Sequence, residues 1–268
     1  MAAECVEVNG ERIAFRRTGE GPAVLLIHSL GTHSGLWAST FAALLGQFSL
    51  VAMDCRGHGG STNRGGFSVA AVAQDGRALM DQLGHERFHV VGISMGGLMA
   101  VTLAAAVPDR VASLFLTGAY AGVGAAGPPR LAATRALLAG TAMAAFGAAY
   151  AADTVLPDSP EAARALVANA IAGMSAADYL DTLEAILTAD VSALLPTLDV
   201  PALVLTGQED RRAPEEVGRR LSACLPQGAF EVMPGAGHLA VLDRPAAFNQ
   251  RLVDFLTQAG RRRSGCSR

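Results

Sequence analysis

The 268-residue sequence predicts an α/β protein built on an open, largely parallel sheet, and three observations predict it. Short apolar runs recur along the chain, each ended by turn or polar residues. Most are continuous rather than alternating, as strands covered on both faces require. Helical patterns fall between them, and that alternation builds parallel sheets.

The elements follow in order. "CVEV" and "RIAFRR" alternate around "NGE" at residues 9–11, which predicts a β-hairpin. "AVLLIH", "SLVAMD", "FHVVG", "VASLFLT", "ALVLTG" and "AFEVMP" predict the remaining strands. "VAAVAQDGRALMDQLG" and "GGLMAVTLAAAVP" predict helices between them. About eighty residues between "VASLFLTGAY" and "PALVLTGQED" hold no strand pattern, far more than an ordinary connection. Within them, residues 128–151, 159–173 and 175–195 each predict a helix, opened by Pro or Ser and closed near Gly or Pro. Such a block is either extra packing or a lid above the carboxyl edge of the sheet.

Composition narrows the function classes. A net charge of −3 offers no basic field for nucleic acid, and no apolar run approaches the roughly 20 residues of a membrane span. The start lacks the basic and apolar regions of a secretory signal, so a cytoplasmic location is expected. Cys5, Cys55, Cys224 and Cys266 have no CxxC spacing, which argues against a metal site or a disulfide framework. The end of the chain, residues 261–268, is expected to be a disordered tail.

One stretch is anomalous. In "HVVGISMGGLMA" a single serine interrupts small and apolar residues, with Gly92 two before it and Gly96 two after. A strand precedes it and a helix follows, so Gly92-Ile93-Ser94-Met95-Gly96 predicts a nucleophile elbow. The turn is sharp enough that bulk at either glycine would collide, and Ser94 is pushed out above the sheet. The helix N-terminus beneath it favours a developing negative charge.

A serine hydroxyl needs a base, and the base needs an acid to orient it. On an elbow of this kind the chain order is Ser, then Asp or Glu, then His. Asp210 in "LVLTGQEDRRAPEE" and His238 in "VMPGAGHLAVLDRP" both follow predicted strands at the edge where Ser94 emerges. Glu209 is the rival acid. His85 and His89 precede or lie in a strand and are expected to be structural. Backbone donors for an oxyanion are expected from Met95, after the nucleophile, and from Leu30 in "HSLGTHSG", where Gly31 lets the turn fold tightly. His28 is expected to tie that loop down. Asp54 and His58 in "DCRGHGGS" are expected to brace a loop rather than react, and Trp37 is expected in the core.

"HSLGTHSGLW", "MDCRGHGGS", "VVGISMGGLMA", "LVLTGQEDRRAP" and "MPGAGHLAVLDRPAAFN", in this order, resemble the α/β-hydrolase superfamily over nearly the whole chain. The resemblance implies a mostly parallel eight-stranded sheet flanked by helices, with a helical lid inserted after strand 6. The core would then occupy residues 1–120 and 198–260, and the lid 121–197. Within the superfamily, "SLGT", "ISMGGL" and "RPAAFNQRLVDFL" look most like the 3-oxoadipate enol-lactonases. That likeness implies Ser94, Asp210 and His238 as a triad, Leu30 and Met95 as the oxyanion hole, and no metal or organic cofactor. The acid loop departs from the family's usual "G-x-x-D-x-x-T-P-P" after the Asp, and the lid is poor in aromatics.

The expected partner is a small lactone or ester carrying a free carboxylate, with neither nucleic acid nor membrane involved. Among the lid cations Arg130, Arg135 and Arg164, Arg135 is the expected carboxylate contact because it falls in mid-helix. A general carboxylesterase or other lactonase, and a carbon–carbon hydrolase of ring-cleavage products, would use the same residues. A non-catalytic receptor on this fold is the alternative from another class. Turnover of nitrophenyl acetate that disappears in Ser94→Ala separates the enzymes from the receptor.

Overall fold

The computed structural model describes residues 2–264, with side chains described as far as residue 261. It is built on one eight-stranded sheet in the order β1-β2-β4-β3-β5-β6-β7-β8. β1 (Glu4–Val8) and β2 (Glu11–Thr18) form the antiparallel hairpin, turned by Asn9 and Gly10 at φ 50° and 80°. Two consecutive left-handed residues are what a tight hairpin turn requires. β2 also lies antiparallel to β4 (Ser49–Met53). β3 (Ala23–Ile27), β4, β5 (Phe88–Ile93), β6 (Val111–Thr117), β7 (Ala202–Gly207) and β8 (Gly228–Met233) are parallel neighbours.

The apolar runs are continuous because the central strands have no wet face: β3, β5 and β7 are buried at every residue. α1 (Ala38–Leu44) packs with α10 (Pro245–Ser264), and α2 (Val69–Gln82) with α3 (Met95–Ala106). α8 (Glu215–Ala223) covers β7 and β8, and the short α9 (Ala240–Asp243) leads into α10. Register aligns the carboxyl ends, with Ile27 opposite Gly92, Ile93 opposite Thr117 and Thr117 opposite Leu205. The loops after β3, β5, β6 and β7 therefore open on one edge.

Between β6 and β7 lies a helical insert: α4 (Gly127–Leu138), α5 (Met143–Thr154), α6 (Glu161–Ala172) and α7 (Ala176–Thr188). Its two ends meet in a bridge between Gly122 and Asp190, reinforced by Val191 N–H donating to Ala121 O at 2.8 Å. The single helix expected over 128–151 is two helices, broken around Gly140. Glycine is a poor interior helix residue, and the break lets α5 pack on α6 while α4 packs on α7. Gly147 allows the α5–α6 approach, since a Cβ there would lie 2.6 Å from Ala168 O.

The tail expected over 261–268 begins as helix instead, because α10 continues to Ser264. The part of that expectation on 265–268, with Cys266, lies outside the described residues. Among the described residues no helix is long and apolar enough to cross a membrane.

Candidate active site

Ser94 sits between β5 and α3 at φ 53° and ψ −113°, and among the described residues only Asn9 shares its positive φ without being glycine. That conformation costs of order 1–3 kcal/mol and persists only where its surroundings enforce it. Here Ser94 N–H donates to Thr117 O at 2.9 Å, and Gly97 N–H donates to Ser94 O at 2.8 Å. The flanking glycines leave no room for a side chain. A Cβ on Gly92 would stand 2.3 Å from Gly96 O, and one on Gly96 2.4 Å from Ile27 O.

Beyond β7 and β8, two loops bring an acid to a base. His238 Nδ1 lies 3.0 Å from Asp210 Oδ1 and 2.9 Å from Oδ2. Asp210 Oδ1 also accepts from the backbone N–H groups of Arg212 and Ala213, each at 2.9 Å, which fixes the carboxylate. The neighbouring Glu209 is exposed, its backbone tied to Ala236 O. Ser94, Asp210 and His238 are 7%, 5% and 5% exposed, so the three stand in a low-dielectric setting where charge interactions are strong.

Ser94, His238 and Leu30 line one cavity of about 440 Å³ beneath the insert. Met95 is the first residue of α3, so its N–H is one of the donors a helix start leaves without an intrahelical partner. Gly31, at φ 70°, fits under Ile171 of α6 where a Cβ would meet that side chain at 2.6 Å. The arrangement can place a carbonyl over Ser94 with donors beside it and a proton acceptor within the same chamber.

The residues expected to be structural are held as braces. His28 Nδ1 donates to Ser29 O at 2.8 Å while Nε2 accepts from Cys55 N–H at 2.9 Å, and burial pushes its pKa down to about 3. Asp54 accepts from Ser34 N–H at 2.7 Å and Gly60 N–H at 2.9 Å, joining two loops. His58 donates to Arg56 O, and burial lowers its pKa to about 4. His89 contacts Ser113 Oγ, and Trp37 is fully buried.

Arg135 requires a correction. It is exposed and pairs with Glu184 at 3.0 Å, outside the cavity. Arg164 is likewise spent on Leu156 O. The cavity is instead lined by Arg130, five residues earlier on α4 and also exposed, by Arg212 from the loop after β7 and by Arg220 of α8. Among the described residues no carboxylate pairs with Arg130.

All three tyrosines of the chain, Tyr120, Tyr150 and Tyr179, line this cavity, although no sequence spacing connects them. Burial raises the pKa of Tyr120 and Tyr179, which keeps their hydroxyls neutral. The few aromatics of the insert are thus concentrated where a ligand would sit. Gly118, after β6, has only a faint trace in the sequence, a strand-end glycine in "LFLTGAY". At φ 53° it passes so close that a Cβ would lie 3.0 Å from His238 Nδ1.

Comparison with known proteins places these features in context. A family profile described as alpha/beta hydrolase fold matches residues 22–245. RutD of Caulobacter sp. (strain K31), whose name marks it as a candidate carbamate hydrolase, is 32% identical over 259 residues, 94% of each chain. 3-oxoadipate enol-lactonase 2 of Acinetobacter baylyi is 30% identical over 231 residues, 85% of this chain and 86% of that one. The crystal structure of the enol-lactonase from Burkholderia xenovorans LB400 superposes with a TM-score of 0.87 at 31% identity, covering 95% of this chain and 100% of that one.

Proposed function

The chain belongs to the alpha/beta hydrolase fold family, and from that premise we propose that it is a serine hydrolase of small lactones or carboxylic esters that carry a free carboxylate. The enol-lactone of 3-oxoadipate is the leading substrate. Arg130 carries this reading: a guanidinium without a carboxylate partner among the described residues, lining the cavity that Ser94 and His238 also line. The likeness to two enol-lactonases supports it.

In the proposed mechanism Ser94 Oγ attacks the carbonyl carbon while His238 takes its proton. Asp210 holds the imidazole through Nδ1 and stabilises the cation that forms. The backbone N–H groups of Met95 and Leu30 receive the oxyanion, each such donor contributing about a hundred- to a thousand-fold in rate. An enol leaves, tautomerises to a ketone and draws acylation forward. Water then releases the acid from Ser94. Residues 121–197 serve as a lid that supplies Arg130 and Tyr150 and excludes bulk water.

A second reading has one observation in its favour, the likeness to RutD. The same residues can attack a carbamate carbonyl. Comparing kcat/KM for the enol-lactone, its methyl ester, a neutral short-chain ester and a carbamate decides between them. Preference for the neutral ester by tenfold or more ends the lactonase reading.

A further inference from the structure

His238 is reached from two sides. Besides the chamber over Ser94, a second cavity of about 190 Å³ opens between the end of α5 and the loop after β7. His238 and Arg212 are the two residues common to both linings. The side cavity is walled by charged groups, Asp153, Glu209 and Arg211, with Ala152 and Leu156 between them. The chamber over Ser94 sets Phe146, Leu183, Ile186 and Leu187 beside the polar groups of Arg130, Tyr150 and Tyr179.

Arg212 stands between the two. Its Nη2 donates to Asp153 Oδ2 at 2.7 Å and to Thr154 Oγ1 at 2.8 Å, and its guanidinium carbon lies 4.4 Å from the centre of the Tyr150 ring. Its Nε–H is buried without a protein acceptor. Buried donors of that kind are ordinarily completed by water or a ligand.

Resting on the serine-hydrolase reading above, we propose that the side cavity is the inlet for the hydrolytic water, with Arg212 as the partition that keeps it apart from the acyl group. Once the acyl-enzyme forms, its acyl group stands in the chamber over Ser94, on the other side of Arg212 from the side cavity. With Nδ1 held by Asp210, the nitrogen left for proton transfer is Nε2 of His238. Water arriving beside Arg212 gives one proton to that nitrogen as its oxygen bonds to the acyl carbon. The carbonyl π pair moves onto its oxygen, facing Met95 and Leu30 N–H. On collapse the carbon–Oγ bond breaks, the proton on His238 passes to Ser94 Oγ, and the carboxylic acid leaves. Water is the only co-reactant.

The test separates acylation from deacylation. Ala152 is exposed on α5 and lines only the side cavity of the two, so Ala152→Phe fills the inlet and leaves the chamber over Ser94 unchanged. With p-nitrophenyl acetate, rapid nitrophenol release reports acylation, and decay of the acetyl-enzyme in intact-mass spectra reports deacylation. We expect Ala152→Phe to acylate within twofold of the wild-type rate and to deacylate at least tenfold more slowly. Ala152→Ser, small and polar, should deacylate normally. Unchanged deacylation in Ala152→Phe overturns the inlet, because water then enters by the main mouth. A parallel fall of both rates overturns it too, since the side chain would then be acting on the whole site. If wild-type protein forms no acetyl-enzyme on Ser94 at all, the serine-hydrolase reading itself fails, and that outcome is visible before any variant is compared.

Discussion

Gly118 packs against the imidazole of His238, so closely that a Cβ there would lie 3.0 Å from Nδ1 and 3.2 Å from Asp210 Oδ2. The contact joins the end of β6 to Asp210 and His238, and a side chain there would have to push them aside by a few tenths of an ångström. Gly118→Ala should therefore strain a φ of 53° and displace His238 together. We expect kcat to fall at least tenfold and stability to drop by about 1–2 kcal/mol. Wild-type kcat in a folded Gly118→Ala protein would show that the pair tolerates the displacement.

Ser94 holds its elbow at a backbone cost, and that cost is recoverable. Ser94→Gly removes the proposed nucleophile and relieves the left-handed strain, offset by about 0.5–1 kcal/mol of glycine entropy. The variant should be inactive and melt at or above the wild-type temperature. Ser94→Ala should be equally inactive without the gain, because the strain stays. Thermal melts and ester turnover measured side by side check both halves.

The acid is tested by amides. Asp210→Asn should lower kcat by about ten thousand-fold, as an amide partner favours the wrong imidazole tautomer. Glu209→Gln should stay within threefold, since its side chain is exposed. If the two swap behaviour, the acid is one residue earlier than proposed.

Arg130 and Arg135 make a matched pair on one helix. Arg130→Met should raise KM for a carboxylate-bearing substrate by about ten- to a hundred-fold, the worth of a charged hydrogen bond, and leave a neutral ester alone. Arg135→Met removes a pair with Glu184 outside the cavity and should change neither. Equal effects of both variants on the acidic substrate would remove the carboxylate preference.

Acid should unfold this protein early. Burial holds His28 at about 3, and His58 and His89 at about 4, against about 6.5 for a free imidazole. All three folded values are depressed, so the unfolded chain binds more protons below pH 6.5. Stability is full above that pH and is lost as pH falls toward 4, at up to roughly 1.4 kcal/mol per pH unit for each group. His28 shows why, as protonating Nε2 destroys the acceptor of Cys55 N–H. His89→Gln should make the decline of melting temperature between pH 6.5 and 5 shallower; an unchanged slope would count against the buried neutral imidazole.

Most of the fold was legible because the sheet is doubly covered. Runs such as "AVLLI" and "ALVLTG" must be apolar throughout, and turn residues mark their ends. The elbow was legible because its glycines are forced, Gly92 by the backbone of Gly96 within the turn and Gly96 by the end of β3. The insert resisted. α4 and α5 are alanine-rich with apolar residues on all sides, so neither the break at Gly140 nor the inward face of α4 leaves a periodic trace. Arg130 and Arg135 are both exposed, and only the placement of α4 over the cavity sets Arg130 on its wall. Tyr120, Tyr150 and Tyr179 converge only through tertiary structure, and the contact of Gly118 with His238 spans two strands.

Ser94 precedes the insert in the chain, while Asp210 and His238 follow it. The seam between the two parts is the pairing of β6 with β7, where Thr117 meets Leu205, closed by the bridge of Gly122 with Asp190. Joining them closes a loop as long as the whole insert, and contacts so distant in sequence are slow to form. The first half can reach a native-like state, strained serine included, before either partner of that serine has arrived. During refolding, hydrolytic activity would therefore be the last property to return, a clock for closure of that seam rather than for collapse of the core.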